Sequence, residues 1–357
     1  LFLGVTGDGV GGKMEVKNET DWHTLQPHSD EDQVRLDVDR SFIYYPNSEF
    51  TFKYAWYCSA LTPPRDISSK ELAIRKEELS SLITDVLRRQ PYLHYFQGYH
   101  DICQVVLLVL CPEQRLSAVT RLSALRIRDF MLPTLAPALT QLRLIPSILR
   151  AVNRPLYLHL SKTQPFFALS GTLTMYAHDI QEYGDIARLY DVLLAQPAVF
   201  SLYLFAAIVL QRSDELFETP ADEPEMLHSI LSKLPKPLDL ERLIQHALSL
   251  FAEYPPETLQ GWRTVSKNSV LRTTLDPVAA EMQSVEDGRM FFEAQVRELQ
   301  WAERREELMK QVRRYQRPAS AVGIAVLVGV VSFYIRKSLG SSGLAIVPAI
   351  RAWLRTR

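Results

Sequence analysis

Residues 68–110 read SSKELAIRKEELSSLITDVLRRQPYLHYFQGYHDICQVVLLVL, and this stretch decides the fold. Ser68-Ser69-Lys70-Glu71 has capping-box spacing, in which a hydroxyl and a carboxylate three residues apart satisfy the free N–H groups of a helix start. Behind it Leu72, Leu79, Leu82, Ile83, Val86 and Leu87 recur at three- and four-residue spacing until Pro91 stops the helix. After a turn at Gln97-Gly98, Asp101 stands where it could cap a second helix, 102–110. That segment is apolar on every side and is therefore expected to be buried.

Outward from this core, helical segments are expected at 116–131, 137–152, 166–181, 186–194, 199–211, 223–234 and 238–254, and strand-like alternation is nearly absent. The expected fold class is all-α. No repeat of fixed period is visible, so one irregular multi-helix domain over 30–255 fits better than a solenoid. Upstream, 1–29 is polar and Gly-rich and reads as an irregular remnant of a preceding element; the chain begins at Leu1 without Met and is expected to be N-terminally incomplete. The aromatic, proline-bounded stretch 47–65 lacks helical spacing and reads as an insertion. Pro255-Pro256 close the domain, 256–284 reads as a polar linker, and 285–316 as a charged amphipathic helix with a Phe291, Phe292, Val296, Leu299 and Leu308 stripe.

The seventeen residues 319–335 carry no charge, with Arg313, Arg314 and Arg317 before them and Arg336 and Lys337 after. This is the pattern of a short transmembrane helix followed by a basic tail, 336–357. From Leu308 onward there are nine Lys or Arg and no Asp or Glu, which concentrates basic character around the apolar stretch. The bulk of the chain is then expected in the cytosol, anchored by its tail. A net charge of -1 gives no whole-chain reason to expect nucleic acid as a partner. Cys58, Cys103 and Cys111 are too few and too scattered for a disulfide framework or a zinc site, and are expected to be reduced.

Gly7-Asp-Gly-Val-Gly-Gly12-Lys13 matches dinucleotide and phosphate-loop patterns in form only. Met14 stands where a magnesium-binding hydroxyl would be needed, and no helix pattern follows. The histidines do not cluster at ligand spacing, and His94 and His100 read as hydrogen-bonded structural groups. Two constellations remain. Asp37-x-x-Arg40 places a carboxylate and a guanidinium on one helical face, able to pair. Tyr95-Phe-Gln97-Gly98-Tyr99-His-Asp101 brings an amide side chain to a turn between two buried helices, a rigid mount suited to orienting a water or to satisfying backbone groups.

Together and in this order the two resemble the TBC domain, the catalytic domain of Rab GTPase-activating proteins, whose I-x-x-D-x-x-R and Y-x-Q-G motifs supply an arginine finger and a glutamine finger. Phe166-Phe-Ala-Leu-Ser170 is similar to the family's F-A-L segment, and Arg188-Leu-Tyr-Asp191 to its R-x-W-D segment. The resemblance implies Arg40 and Gln97 as catalytic residues, with Asp37, Tyr95, Gly98, Asp101, Arg188 and Asp191 in support. It implies a GTP-bound Rab as partner and no cofactor on this chain, since magnesium and nucleotide belong to the substrate. Gln97-Gly-Tyr-His-Asp101, Arg128-Asp-Phe-Met131 and the C-terminal span resemble the branch anchored in the endoplasmic-reticulum membrane, which implies a role in transport to the Golgi. The competing expectation is a TBC-like scaffold or membrane adaptor that binds a Rab without accelerating hydrolysis.

Overall fold

Every regular element among the described residues is helical, and local signals in the chain start most of them. The structure, a computed structural model, describes residues 21–43, 45 and 68–338, with backbone alone at 312–325, 335 and 338. The expected insertion at 47–65, the first twenty residues and the tail from 339 lie outside the described residues. The chain divides into two compact units, 1–296 and 297–357.

In the first unit, α1 (Glu31–Val38) is two turns long and α2 (Ser69–Arg89) opens on the expected capping box. The Ser68 hydroxyl accepts from the Glu71 N–H at 3.3 Å, and the Glu71 carboxylate accepts from the Ser68 N–H at 2.9 Å. Leu79, Ile83, Val86 and Leu87 on one face of α2 are wholly buried, each worth about 1.5–3 kcal/mol of transfer free energy. α3 (Tyr99–Val109) is buried nearly all round, as its composition requires, and packs with α1, α2 and α4 (Pro112–Leu125). It begins before Asp101, so that residue lies inside the first turn and Gly98 is the cap.

The chain continues through α5 (Ala136–Leu142), α6 (Leu144–Val152), α7 (Arg154–His159), α8 (Leu169–Leu173) and α9 (Tyr183–Ala195) to α10 (Phe200–Gln211), a second helix buried on all sides. α11 (Ser213–Glu218) and α12 (Pro224–Leu231) then lead to α13 (Leu240–Glu253), which lies along α10. The helix expected over 166–181 stops at Leu173. Met175 and Tyr176 take left-handed φ values of 49° and 66°, and the Tyr176 N–H donates back to the Gly171 carbonyl at 2.6 Å. The resulting turn carries Thr174 and His178 towards α3.

The expected linker 256–284 is instead folded. It holds α14 (Val270–Thr273) and α15 (Pro277–Met282) and buries Leu259, Trp262, Val265, Val270, Leu271 and Ala280. Its apolar residues follow no period, so only packing reveals their burial. A polar clamp explains how it is held. Arg128, with no exposed surface, donates from Nη1 to the Ala124 carbonyl at 2.7 Å, from Nη2 to the Asn268 carbonyl at 2.5 Å and from Nε to Gln295 Oε1 at 3.1 Å. Asp129 accepts from Gln141, from the Ser269 hydroxyl, from the Val270 N–H and from Gln295 Nε2 at 2.8 Å.

Gln295 belongs to α16 (Val285–Ser338), whose turns up to Val296 are part of the first unit. The expected charged helix and the uncharged stretch after it are therefore one continuous helix, with its start embedded through Phe292 and Gln295. A Cβ on Gly288 would stand 2.7 Å from the Ala124 carbonyl oxygen and 3.0 Å from the Ala124 Cβ. Gly288→Val is expected to force α16 off α4 at a cost on the order of 1–3 kcal/mol. Urea titration, with hydrogen exchange rising at 285–296, checks it.

Among the described residues no helix is long and apolar enough to cross a membrane, so the span expected at 319–335 has no support from the structure. Cys103 is a buried free thiol, and burial pushes its pKa up. Cys111, expected to be reduced, is disulfide-bonded, a pairing that spacing along the chain does not encode.

Candidate functional site

α1 is strapped lengthwise to Tyr95. The Tyr95 backbone N–H donates to Asp30 Oδ2 at 2.9 Å, and its hydroxyl donates to Asp37 Oδ2 at 3.0 Å. The two carboxylates sit seven residues apart, about 10 Å along a helix, so one residue fixes both ends of α1. Arg88 on α2 adds a bidentate pair to Glu31 at 2.6 and 2.8 Å. Lys76 of α2 donates to the Asp39 carbonyl, and the Phe42 N–H donates to Gln104 of α3 at 2.9 Å. The Tyr45 hydroxyl donates to the Ala177 carbonyl at 2.9 Å. Arg40 sits in the middle of this anchored segment. Its own N–H donates to the Asp37 carbonyl at 3.0 Å, yet its side chain is exposed and its guanidinium makes no hydrogen bond or ion pair among the described residues.

Gln97 is held in the same fashion. Phe96 and Tyr99 on either side are buried and packed ring against ring at 5.6 Å, while the Gln97 side chain is exposed and uncommitted among the described residues. Gly98 makes this turn possible with a φ of 102°, a left-handed value that costs any residue with a Cβ. A Cβ there would also lie 2.6 Å from Thr174 Cγ2. Gly98→Ala is expected to destabilise the fold by about 1–3 kcal/mol, measured as a lowered urea midpoint with an unchanged slope.

Beneath the turn lies a line of polar groups. Tyr95 meets His100 Nδ1 at 3.1 Å, His100 Nε2 lies 3.4 Å from Asp101 Oδ1, and Asp101 Oδ2 lies 3.2 Å from His178 Nδ1. Burial, then the charge of Asp37, pushes the Tyr95 phenol well above its ordinary range. Burial holds His100 below the usual histidine value, against the pull of Asp101 and Asp37. The hydrogen bond to Asp101 raises His178, against its own partial burial. Among the described residues no group of His, Cys, Asp and Glu could hold a metal ion.

The sequence profile of the Rab-GTPase-TBC domain matches residues 60–217, with Gln97 inside the matched span and Arg40 before it. GTPase-activating protein gyp10 of Schizosaccharomyces pombe is 32% identical over 278 residues, covering 76% of this chain and 69% of that protein. This chain belongs to the Rab-GTPase-TBC family. TBC1 domain family member 20 of Bos taurus is 34% identical over 66% of the chain, which spans 54% of that relative's length. Among solved structures, the Ypt/Rab-GAP domain of Gyp1p is similar at 17% identity with a TM-score of 0.48, over 65% of this chain and 77% of that one.

Within this TBC domain the structure joins Asp37 to Tyr95 and Tyr95 through His100 to Asp101, while Arg40 and Gln97, on the two segments so joined, are exposed. One expected contact is replaced. Asp37 is 1% exposed, and its carboxylate serves Tyr95 and Gln33 rather than the Arg40 guanidinium, because α1 ends at Val38 and carries Arg40 off the shared face. Arg188, on α9, is committed to Glu241 of α13 at 2.6 Å, and Asp191 is exposed three residues further along the same helix. Burial still raises the Asp191 carboxyl, with Arg188 opposing. His94 lends its backbone N–H to the Met131 carbonyl at 2.9 Å. Sequence reading missed Asp30, Gln104, Thr174 and His178. Each acts across 62 residues or more, or from the unforeseen turn after α8, and no local spacing announces such contacts.

Proposed function

We propose that this chain accelerates GTP hydrolysis on a Rab-type small GTPase, with Arg40 and Gln97 as its two fingers. A small GTPase is slow because charge developing on the phosphates is poorly stabilised and the attacking water poorly held. A guanidinium and a carboxamide answer these two needs. The observation that carries the reading is the Tyr95–Asp37 bond at 3.0 Å, which locks the Arg40 segment to the Gln97 turn while leaving both side chains exposed and unspent. Membership of the TBC family and the name of the fission-yeast relative support it. The test is single-turnover GTP hydrolysis across a panel of Rabs with and without the chain. Acceleration of none of them would leave a scaffold that binds without catalysis.

The proposal extends to a membrane setting, the endoplasmic reticulum, and to control of transport from there to the Golgi. Its support is the uncharged stretch 319–335 between basic flanks and the branch resemblance of Gln97-Gly-Tyr-His-Asp101. Alkaline extraction of membranes from cells expressing the whole chain decides it: release into the supernatant excludes a span.

A further inference from the structure

The line of groups beneath the Gln97 turn is one proton short of satisfying every contact. Tyr95 has a single hydroxyl proton and stands against two groups, Asp37 Oδ2 at 3.0 Å and His100 Nδ1 at 3.1 Å. If the phenol donates to Asp37, the contact with His100 is a bond only when Nδ1 carries a hydrogen. If a neutral His100 carries its hydrogen on Nε2 for Asp101, the phenol proton is drawn to Nδ1 and Asp37 Oδ2 loses its donor, with Gln33 serving only Oδ1 at 3.0 Å. The two arrangements exclude each other.

Exposure decides between them. The Asp37 side chain is 1% exposed, whereas Asp101 is 16% exposed and has His178 beside it at 3.2 Å. An acceptor stripped of its donor loses more where water cannot replace it. The other charged groups acting on this line include Arg40, whose charge opposes protonation of His100, and Asp179, the chain neighbour of His178. Thr174, whose methyl fills the space left by Gly98, accepts from the His178 N–H at 3.4 Å and brings the post-α8 turn into the same assembly.

We propose that His100 is a positioning residue, held as the neutral Nδ1–H tautomer so that Tyr95 gives its only proton to Asp37 and joins the Gln97 turn to the Arg40 segment. The proposal rests on the reading of Arg40 and Gln97 as the two fingers. His100 touches no reacting atom; it sets the distance between the groups that do.

Long-range proton–nitrogen correlations on the full chain labelled with nitrogen-15 histidine report each ring's tautomer at neutral pH, and His100→Gln identifies the signal. The Nδ1–H form is expected for His100, changing to Nε2–H in Tyr95→Phe, where Asp101 Oδ1 at 3.4 Å from Nε2 is a nearer acceptor than Asp37 Oδ2 at 3.9 Å from Nδ1. An Nε2–H ring in the unaltered chain overturns the proposal. In stimulated hydrolysis, His100→Phe is expected to lower kcat by about 10- to 100-fold at unchanged KM, and His100→Gln, which keeps an N–H donor, to recover most of it. Equal activity in all three forms, or equal loss in both variants, also overturns it. If the unaltered chain stimulates no GTPase, the finger reading falls, while the tautomer measurement still decides whether His100 holds Tyr95.

Discussion

Arg40→Ala is expected to lower the stimulation of GTP hydrolysis by about 10³- to 10⁵-fold, roughly 4–7 kcal/mol of barrier, the effect of a guanidinium delivered in trans to a transferring phosphoryl group. The fold should not notice. Arg40 is exposed and its guanidinium supports no bond among the described residues, so the change belongs with surface substitutions of about ±0.5 kcal/mol. Arg40→Lys should rescue little, since an ammonium lacks the planar fork that meets two phosphate oxygens at once. Gln97→Ala should be severe as well, and the double variant scarcely worse than the more damaging single one, because groups that act as a unit are not additive. Single-turnover hydrolysis beside thermal unfolding separates the chemistry from the fold. Full stimulation by Arg40→Ala would sink the mechanism.

Arg128→Ala is expected to cost about 3–5 kcal/mol of stability, the scale for removing one partner of a buried, hydrogen-bonded charge network. The guanidinium has no exposed surface, and burial lowers its pKa against the opposing charge of Asp129. Its loss removes a charged donor from the Ala124 and Asn268 carbonyls and from Gln295 Oε1. Asp129 keeps its neutral donors but loses the adjacent cation. Since the clamp joins four separate parts of the chain, two of them within 256–296, hydrogen exchange should rise first there and only later in α2 and α3. A urea titration gives the total. A loss below about 1 kcal/mol, within the range of ordinary substitutions, would show that the clamp follows the packing and does not create it.

How much of this was legible beforehand depends on how local each signal is. The capping box at Ser68 and Glu71, the apolar face of α2 and the apolar run of α3 each lie within one helix, where period and composition carry the information. The TBC resemblance rests on short ordered motifs, and it drew attention to Arg40, Gln97, Asp37, Tyr95 and Arg128-Asp-Phe-Met131 before any contact was known. The failures share one cause. The stretch 256–284 has no period, yet it is folded because Arg128 and Asp129, more than 120 residues upstream, supply what its polar groups need. The end of α8 went unseen because left-handed φ at Met175 and Tyr176 is imposed by packing, with no glycine at either position to mark it.

The sequence by itself determined that the described chain is helical and where the buried helix at 102–110 lies, and its motifs pointed to one arginine and one glutamine. The helical reading follows from side chains a few residues apart, whose geometry the helix dictates, and the choice of arginine and glutamine from the motif resemblance alone. Only the tertiary structure decided that Asp37 bonds Tyr95 instead of Arg40, that α16 begins inside the domain, and that His100, Asp101 and His178 line up beneath the Gln97 turn. Each of these depends on which distant group reaches a buried donor or acceptor first. Chain spacing does not encode that competition; burial, by making an unpaired polar group expensive, settles it.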